Sequence, residues 1–290
     1  MPSGIIIIDK PADWTSMDVC AKLRGILKER RIGHGGTLDP MATGVLPVFV
    51  GTATKAVEFA EKGDKEYIAG LRLGIVTNTQ DSSGEILETR PVSVWREELE
   101  TVLSRFTGPI EQVPPMFSAI KIKGKKLYEL ARKGQEVERA PRPVTIYELE
   151  LLEQLSPVDY RLRVLCSKGT YIRTLCHDIG QALGCGGTLS ELRRTKSAGF
   201  TLAEAVTLEQ VAAQADPASL LRPVDAYFAG YPMLTLRDGA AEKRLRNGSP
   251  LSLDGPPDGT YRVYSPRKEF LALAELKRGR LTTIKSFFEV

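Results

Sequence analysis

Four consecutive isoleucines, Ile5 to Ile8, run into Asp9-Lys10-Pro11. An apolar run stopped by proline predicts a short buried strand, because proline cannot continue a ladder. Val19, Leu23, Ile26 and Leu27 then recur at helical spacing. Thr15 or Ser16 can cap that helix, and Lys28-Glu29-Arg30-Arg31 puts net positive charge at its C-terminal end. Gly33 to Gly36 break the pattern, Val45 to Val50 predict a second apolar strand, and Thr54 to Glu61 a short helix. Tyr67 to Leu73 read as a strand. Beyond a turn at Asp81-Ser-Ser-Gly84, Leu99, Val102, Leu103 and Phe106 share one helix face until Pro114-Pro115 ends the unit. Tyr160 to Ser167 predict a strand that passes Gly169 into a helix carrying Ile172, Leu175, Ile179 and Leu183, closed by Gly184. Thr207-x-x-Gln210 has the form of a capping box and starts one more helix.

From about Tyr231 the texture changes to short alternating segments with turn dipeptides. Asn247-Gly248, Asp254-Gly255 and Asp258-Gly259 precede candidate strands at Tyr261 to Tyr264, Phe270 to Leu276 and Thr282 to Phe288. The pattern predicts a first domain over 1–230 and a small β-barrel over 231–290.

The chain of 290 residues is 42% hydrophobic and 26% charged, which fits a folded globular protein with a core of its own. The apolar run at the start is far shorter than the roughly 20 residues of a membrane span, and no basic segment precedes it, so the expected location is the cytoplasm. Net charge is only +4, but its distribution is uneven. Lys121 through Arg142 hold eight basic residues against three acidic ones, and 231–290 hold eleven against seven. Two basic regions therefore suit a polyanion. Cys20, Cys166, Cys176 and Cys185 form no C-x-x-C pair, and His34 and His177 are the only histidines, so neither a disulfide framework nor a zinc site is expected.

The chemistry concentrates in Gly33-His34-Gly-Gly-Thr-Leu-Asp39-Pro-Met-Ala-Thr-Gly44-Val-Leu-Pro. Asp39 is the only carboxylate between Gly33 and Val57 and sits among glycines, threonines and apolar side chains. A loop of unusual backbone around one acid is a typical place for a catalytic residue, while Asp-Pro is also a common turn device. Local physics leaves both open. The glycines do not form a phosphate loop: G-x-x-x-x-G-K-[ST] is absent, and Leu38 breaks G-x-G-x-x-G. G-x-S-x-G is absent as well.

His34-Gly-Gly-Thr-Leu-Asp39-Pro-Met-Ala-Thr-Gly44 resembles the catalytic motif of the bacterial TruB-type tRNA pseudouridine synthases. Further blocks are similar, in order: Asp9-Lys10-Pro11, Lys65-Glu-Tyr67, Val113-Pro-Pro-Met-Phe-Ser118 with Lys125-Lys-Leu-Tyr128-Glu-Leu-Ala-Arg132, and Ser167-Lys-Gly-Thr-Tyr171-Ile-Arg173. The resemblance covers about residues 4–200, with a weaker echo at the C-terminus. It implies an α+β pseudouridine synthase fold, a long bent mixed β-sheet flanked by helices, followed by a PUA-like β-barrel. It implies isomerisation of uridine at position 55 in the T loop of tRNA, after the base is flipped out, with no cofactor and no metal.

By the same resemblance Asp39 is the catalytic aspartate, Arg173 the arginine that pairs with it, and Tyr67 the active-site tyrosine. His34 would take up space vacated in the T loop, and Lys10 and Leu192 would line the pocket. The basic stretch, with Lys121, Lys123, Lys125, Lys126 and Arg132, matches an RNA-binding insertion over about 112–142. The barrel would meet the acceptor arm. The expected partner is tRNA, bound by a single chain acting as a monomer without an obligate protein partner or a membrane. Two other readings share these features: an RNA-binding chaperone that uses the same surface without chemistry, and a guide-RNA-dependent synthase of the archaeal and eukaryotic branch. Members of that branch carry longer terminal extensions, so a first strand three residues after Met1 favours the stand-alone enzyme.

Overall fold

The isoleucine strand becomes one edge of a large mixed sheet in the computed structural model, which describes residues 2–122 and 124–289. In chain order its first half runs β1 (Gly4–Lys10), α1 (Ser16–Leu27), β2 (Ile32–His34), β3 (Thr43–Val50), α2 (Val57–Ala60), β4 (Lys65–Leu73), a hairpin of β5 (Ile75–Thr77) and β6 (Ile86–Thr89), α3 (Arg96–Arg105) and β7 (Gly108–Gln112). A second hairpin, β8 (Lys121–Ile122) and β9 (Lys125–Lys126), leads to α4 (Leu127–Ala131), β10 (Arg142–Gln154), β11 (Asp159–Cys166), α5 (Ile172–Ala182), β12 (Gly187–Ser197), β13 (Phe200–Thr201) and α6 (Leu208–Ala213). Among the described residues the main sheet has the order β1-β3-β12-β4-β11-β10-β7, with β2 added on β3 and β13 on β12. Every pairing is antiparallel except β3 with β12.

That parallel junction is a sharp local demand on the sequence. A Cβ on Gly44 would lie 2.2 Å from the Arg194 carbonyl oxygen, and its φ of +102° is open to glycine. Only glycine lets β3 and β12 meet directly behind the loop that carries Asp39.

Several elements follow the hydrophobic pattern closely. Thr15 caps α1 through the Asp18 amide, and Gly184, at φ +78°, follows α5. Other features were masked. Thr54 to Glu61 is a 3₁₀ turn, Gly51–Ala56, followed by a single turn of α-helix, because the Thr54 hydroxyl donates back to the Gly51 carbonyl at 2.7 Å. The strand β12 carries no apolar alternation because its inward positions include the buried polar residues Thr188, Arg194 and Ser197.

One core fills the face of the sheet under α3 and α5: Tyr67, Ala69, Leu71, Leu162, Val164, Leu175 and Ile179, with Leu38 and Ala42 from the Asp39 loop. A second lies between β1, β3 and α1.

The chain ends in β14 (Met233–Thr235), α7 (Gly239–Arg246), β15 (Leu251–Ser252), β16 (Gly259–Tyr264), β17 (Phe270–Lys277) and β18 (Arg280–Ser286). These strands form a separate five-stranded sheet in the order β14-β16-β17-β18-β15. It is bound firmly to the first sheet. Phe287 and Leu273 share a cluster with Ile5, Phe49, Ala56 and Phe228, the Lys55 ammonium donates to the Phe288 carbonyl at 3.1 Å, and Arg31 pairs with Glu289.

Candidate active site

Asp39 projects from the loop between β2 and β3, whose backbone folds back through an Ala42 amide bond to the Asp39 carbonyl at 3.1 Å. Its carboxylate grips the second residue of α5: Arg173 Nε lies 2.9 Å from Oδ2, and Nη2 donates to Oδ1 at 3.4 Å. The side chain of Asp39 is 37% exposed and that of Arg173 only 5%, so the acid faces outward and its partner does not. A close ion pair with one charge-assisted hydrogen bond fixes orientation as well as charge.

The rest of the guanidinium is also used. It donates to the Thr79 carbonyl at 3.1 Å and the Phe117 carbonyl at 2.8 Å, and Asp81 stands 3.7 Å from Nε. A cation in the first turn of a helix opposes the dipole, and the two carboxylates offset that. Phe117 lies where the chain enters the basic insertion, so Arg173 links that entry to Asp39. The start of α5 is itself held, by the Gln112 side chain on the Tyr171 amide at 3.0 Å and on its carbonyl at 3.2 Å.

Tyr67 lies on β4 in the same cluster as Leu38, Ala42, Ile172 and Leu192. Burial pushes its hydroxyl well above the ordinary range, Arg194 opposes that, and Asp39 adds to it. The phenol is therefore protonated at neutral pH. Leu192 also borders an open groove of about 490 Å³ with Met41, Thr43, Ile68 and Leu152.

Lys10 sits beneath the loop. It is fully buried, and its ammonium donates to the carbonyls of Pro11, Trp14 and Pro40 at 2.8, 2.7 and 3.0 Å. The expectation that Lys10 lines the pocket takes a different form: all three N–H groups brace the backbone, leaving none for a ligand. Burial lowers its pKa to about 8, against the opposing pull of Asp39. The unfolded chain, with an ordinary lysine, binds more protons between about pH 8 and 10.5, so stability should rise through that window. Urea unfolding of wild type and Lys10→Met at pH 7.5 and 10 checks this: wild type should gain on the variant at the higher pH. A constant difference would contradict it.

His34, on β2 opposite Val48, is partly buried with Nδ1 unpartnered; burial and the Arg194 charge lower its pKa, leaving a neutral imidazole. Lys121 and Lys126 face each other across the β8–β9 hairpin, while Lys126 and Arg132 flank the Tyr128 ring at 5.3 and 5.4 Å. Within the insertion the ion pair among the described residues is Arg139 with Glu136, so Lys121, Lys125, Lys126 and Arg132 keep unneutralised charge. Lys123 lies outside the described residues.

Two loop anchors escaped the sequence reading. Ser16, at the start of α1, accepts from the Leu38 amide at 2.9 Å and donates to the Leu38 carbonyl at 3.2 Å. Arg194 is 1% exposed and donates to the carbonyls of Gly36, Thr37 and Val45. Among the described residues no group of three or more His, Cys, Asp or Glu side chains could hold a metal ion.

Comparison with known proteins gives a consistent result. Residues 24–172 match the family model described as TruB family pseudouridylate synthase (N terminal domain), and residues 173–229 match tRNA pseudouridylate synthase B C-terminal domain. The chain is 46% identical over 286 residues to a tRNA pseudouridine synthase B of Pseudomonas putida (strain GB-1), covering 96% of this chain and 93% of that protein. It is 48% identical over 276 residues to the protein of the same name from Ralstonia pickettii (strain 12J), covering 93% and 86%. Among solved structures, a chain of a Cbf5-Nop10-Gar1 complex superimposes with a TM-score of 0.74 at 28% identity, over 98% of this chain and 85% of that one.

Proposed function

From the premise that this chain belongs to the TruB family of pseudouridylate synthases, we propose that it isomerises uridine 55 in the T loop of tRNA, with Asp39 as the reacting carboxylate. It is an isomerase of the tRNA pseudouridine synthase class, related at lower identity to the particle-bound branch. The observation that carries the site assignment is the partly exposed Asp39 held by the ion pair and hydrogen bond of a buried arginine.

The reaction breaks the C1′–N1 glycosidic bond, turns the base, joins C1′ to C5, releases the C5 proton and leaves a proton on N1. A uridine inside a folded loop must be extruded first, at a cost of a few kcal/mol. Asp39 supplies a fixed negative charge for attack on the ring or the sugar, and Arg173 holds it in place. Tyr67, kept protonated by burial, suits a platform for the base better than a standing proton acceptor. Leu192 closes the apolar side of that platform.

Neutral His34 fits a contact with bases of the T loop. The insertion over about 112–142 closes over the T arm, and the sheet of 231–290 is a PUA-like unit that meets the acceptor arm through exposed Arg237, Lys243, Arg244, Lys277 and Arg280. The chain works as a monomer in the cytoplasm, where its substrate is, and no helix among the described residues is long and apolar enough to cross a membrane.

Release of tritium from tRNA labelled at uridine C5 tests the target. Wild-type transcript should lose label and a transcript with cytidine at position 55 should lose none; equal loss from both would refute the position. The insertion has its own test. Neutralising Lys121, Lys123, Lys125 and Lys126 together should flatten the plot of log affinity against log salt by about 1.5, for two phosphate contacts, on tRNA and isolated T-arm hairpin alike. An unchanged slope would remove the insertion from the RNA interface.

A further inference from the structure

Two adjacent arginines of β12 behave in opposite ways. Arg193 faces one side of the sheet and makes an ordinary bidentate pair with Asp9, at 2.8 and 3.1 Å. Arg194 faces the other, is buried, and meets no carboxylate among the described residues. Its Nε donates to the Val45 carbonyl at 2.7 Å, Nη2 to the Gly36 carbonyl at 3.1 Å and Nη1 to the Thr37 carbonyl at 3.3 Å. Burying a guanidinium without a counter-charge is costly, so the arrangement calls for a compensating use.

The three carbonyls supply one. Gly36 and Thr37 lie on the incoming stem of the Asp39 loop and Val45 on the outgoing stem, with Asp39 between them. One planar fork therefore ties both stems of the Asp39 loop at the point where Gly44 brings β3 against the Arg194 backbone. A lysine carries its donors on one nitrogen and cannot reach the three carbonyls that Nε, Nη1 and Nη2 meet separately. The same charge opposes the burial-raised pKa of Tyr67 and lowers that of His34.

We propose that Arg194 is a positioning residue for pseudouridine formation: it sets the reach of Asp39 toward the flipped nucleotide by fastening the two stems of its loop. The inference rests on Asp39 as the reacting carboxylate, and Asp39→Asn in the same assay tests that reading separately.

The test compares Arg194→Lys, Gly36→Ala, their double variant and Val211→Ala. An alanine at Gly36, where φ is +118°, strains the backbone that presents the Gly36 carbonyl to Arg194 Nη2 and so disturbs the same contact from the loop side. Val211 is a fully buried position on α6, and its truncation lowers stability without touching the loop. Under single turnover at saturating tRNA, Arg194→Lys should lose at least ~30-fold and Gly36→Ala at least ~10-fold, with tRNA affinity within ~3-fold of wild type. Val211→Ala should keep the wild-type rate. Because both changes act through one contact, the double variant should fall no more than ~3-fold below the slower single.

Wild-type chemistry in Arg194→Lys, multiplicative losses in the double variant, or an equal rate loss in Val211→Ala would each overturn the proposal. Should Arg194→Lys fail to fold, Gly36→Ala decides alone: a wild-type rate overturns the proposal, and a loss absent from Val211→Ala upholds it.

Discussion

Asp39→Asn is expected to slow pseudouridine formation at least ~10⁴-fold, equivalent to about 5.5 kcal/mol of transition-state stabilisation, while leaving tRNA binding almost unchanged. Asparagine keeps the size of the side chain and one acceptor oxygen. It removes the negative charge and the nucleophile. The loop should stay in place, because Lys10, Ser16 and Arg194 hold its backbone through Pro40, Leu38, Gly36, Thr37 and Val45, none of them through the Asp39 side chain. Rate and affinity therefore separate. Single-turnover kinetics beside a binding titration reads both, and a variant that keeps the wild-type rate would remove Asp39 from the chemistry. Turnover by the wild type, lost in a variant that still binds tRNA tightly, also excludes the chaperone reading, for which the wild-type rate would be zero.

Arg173→Met should have the next largest effect, a loss of ~10³-fold or more in the chemical step, about 4 kcal/mol. Unlike Asp39→Asn it should also destabilise the fold, by about 3 kcal/mol, because it leaves buried Asp81 without its nearby cation. The Thr79 and Phe117 carbonyls lose their donors as well. Arg173→Lys keeps the charge but cannot reach Asp39 and both carbonyls together, so it should fall between wild type and the methionine variant. Urea unfolding and single-turnover rates on the three proteins give the comparison. A lysine variant indistinguishable from wild type in both would mean that the paired geometry at Asp39 is dispensable.

The site was only partly legible in the sequence, for physical reasons. Asp39 stood out because a lone carboxylate among glycines and apolar residues is unusual, and α5 because its apolar residues recur on one face and end at Gly184. Arg173 could be placed on that helix, but its partners Asp39, Thr79 and Phe117 come from three other segments.

Arg194 was hidden more deeply. It lies in Glu191-Leu-Arg-Arg-Thr-Lys, which reads as a solvated charged stretch, and only the pairing of β12 between β3 and β4 turns one arginine inward and its neighbour outward. The bracing role of Lys10 was hidden in the same way, since a lysine beside a proline gives no hint that three carbonyls surround it. Local pattern finds residues whose job shows in their neighbours along the chain. Residues that act through distant backbone carbonyls appear only when the sheet is assembled.

The most direct measurement is the amount of tritium released by the wild-type protein alone from tRNA labelled at C5 of every uridine. Isomerisation at a single position frees one C5 hydrogen per tRNA, so release should rise to one equivalent and stop, with pseudouridine at position 55 of the recovered RNA. No release by the purified chain, or a plateau at several equivalents, would contradict a stand-alone, site-specific synthase.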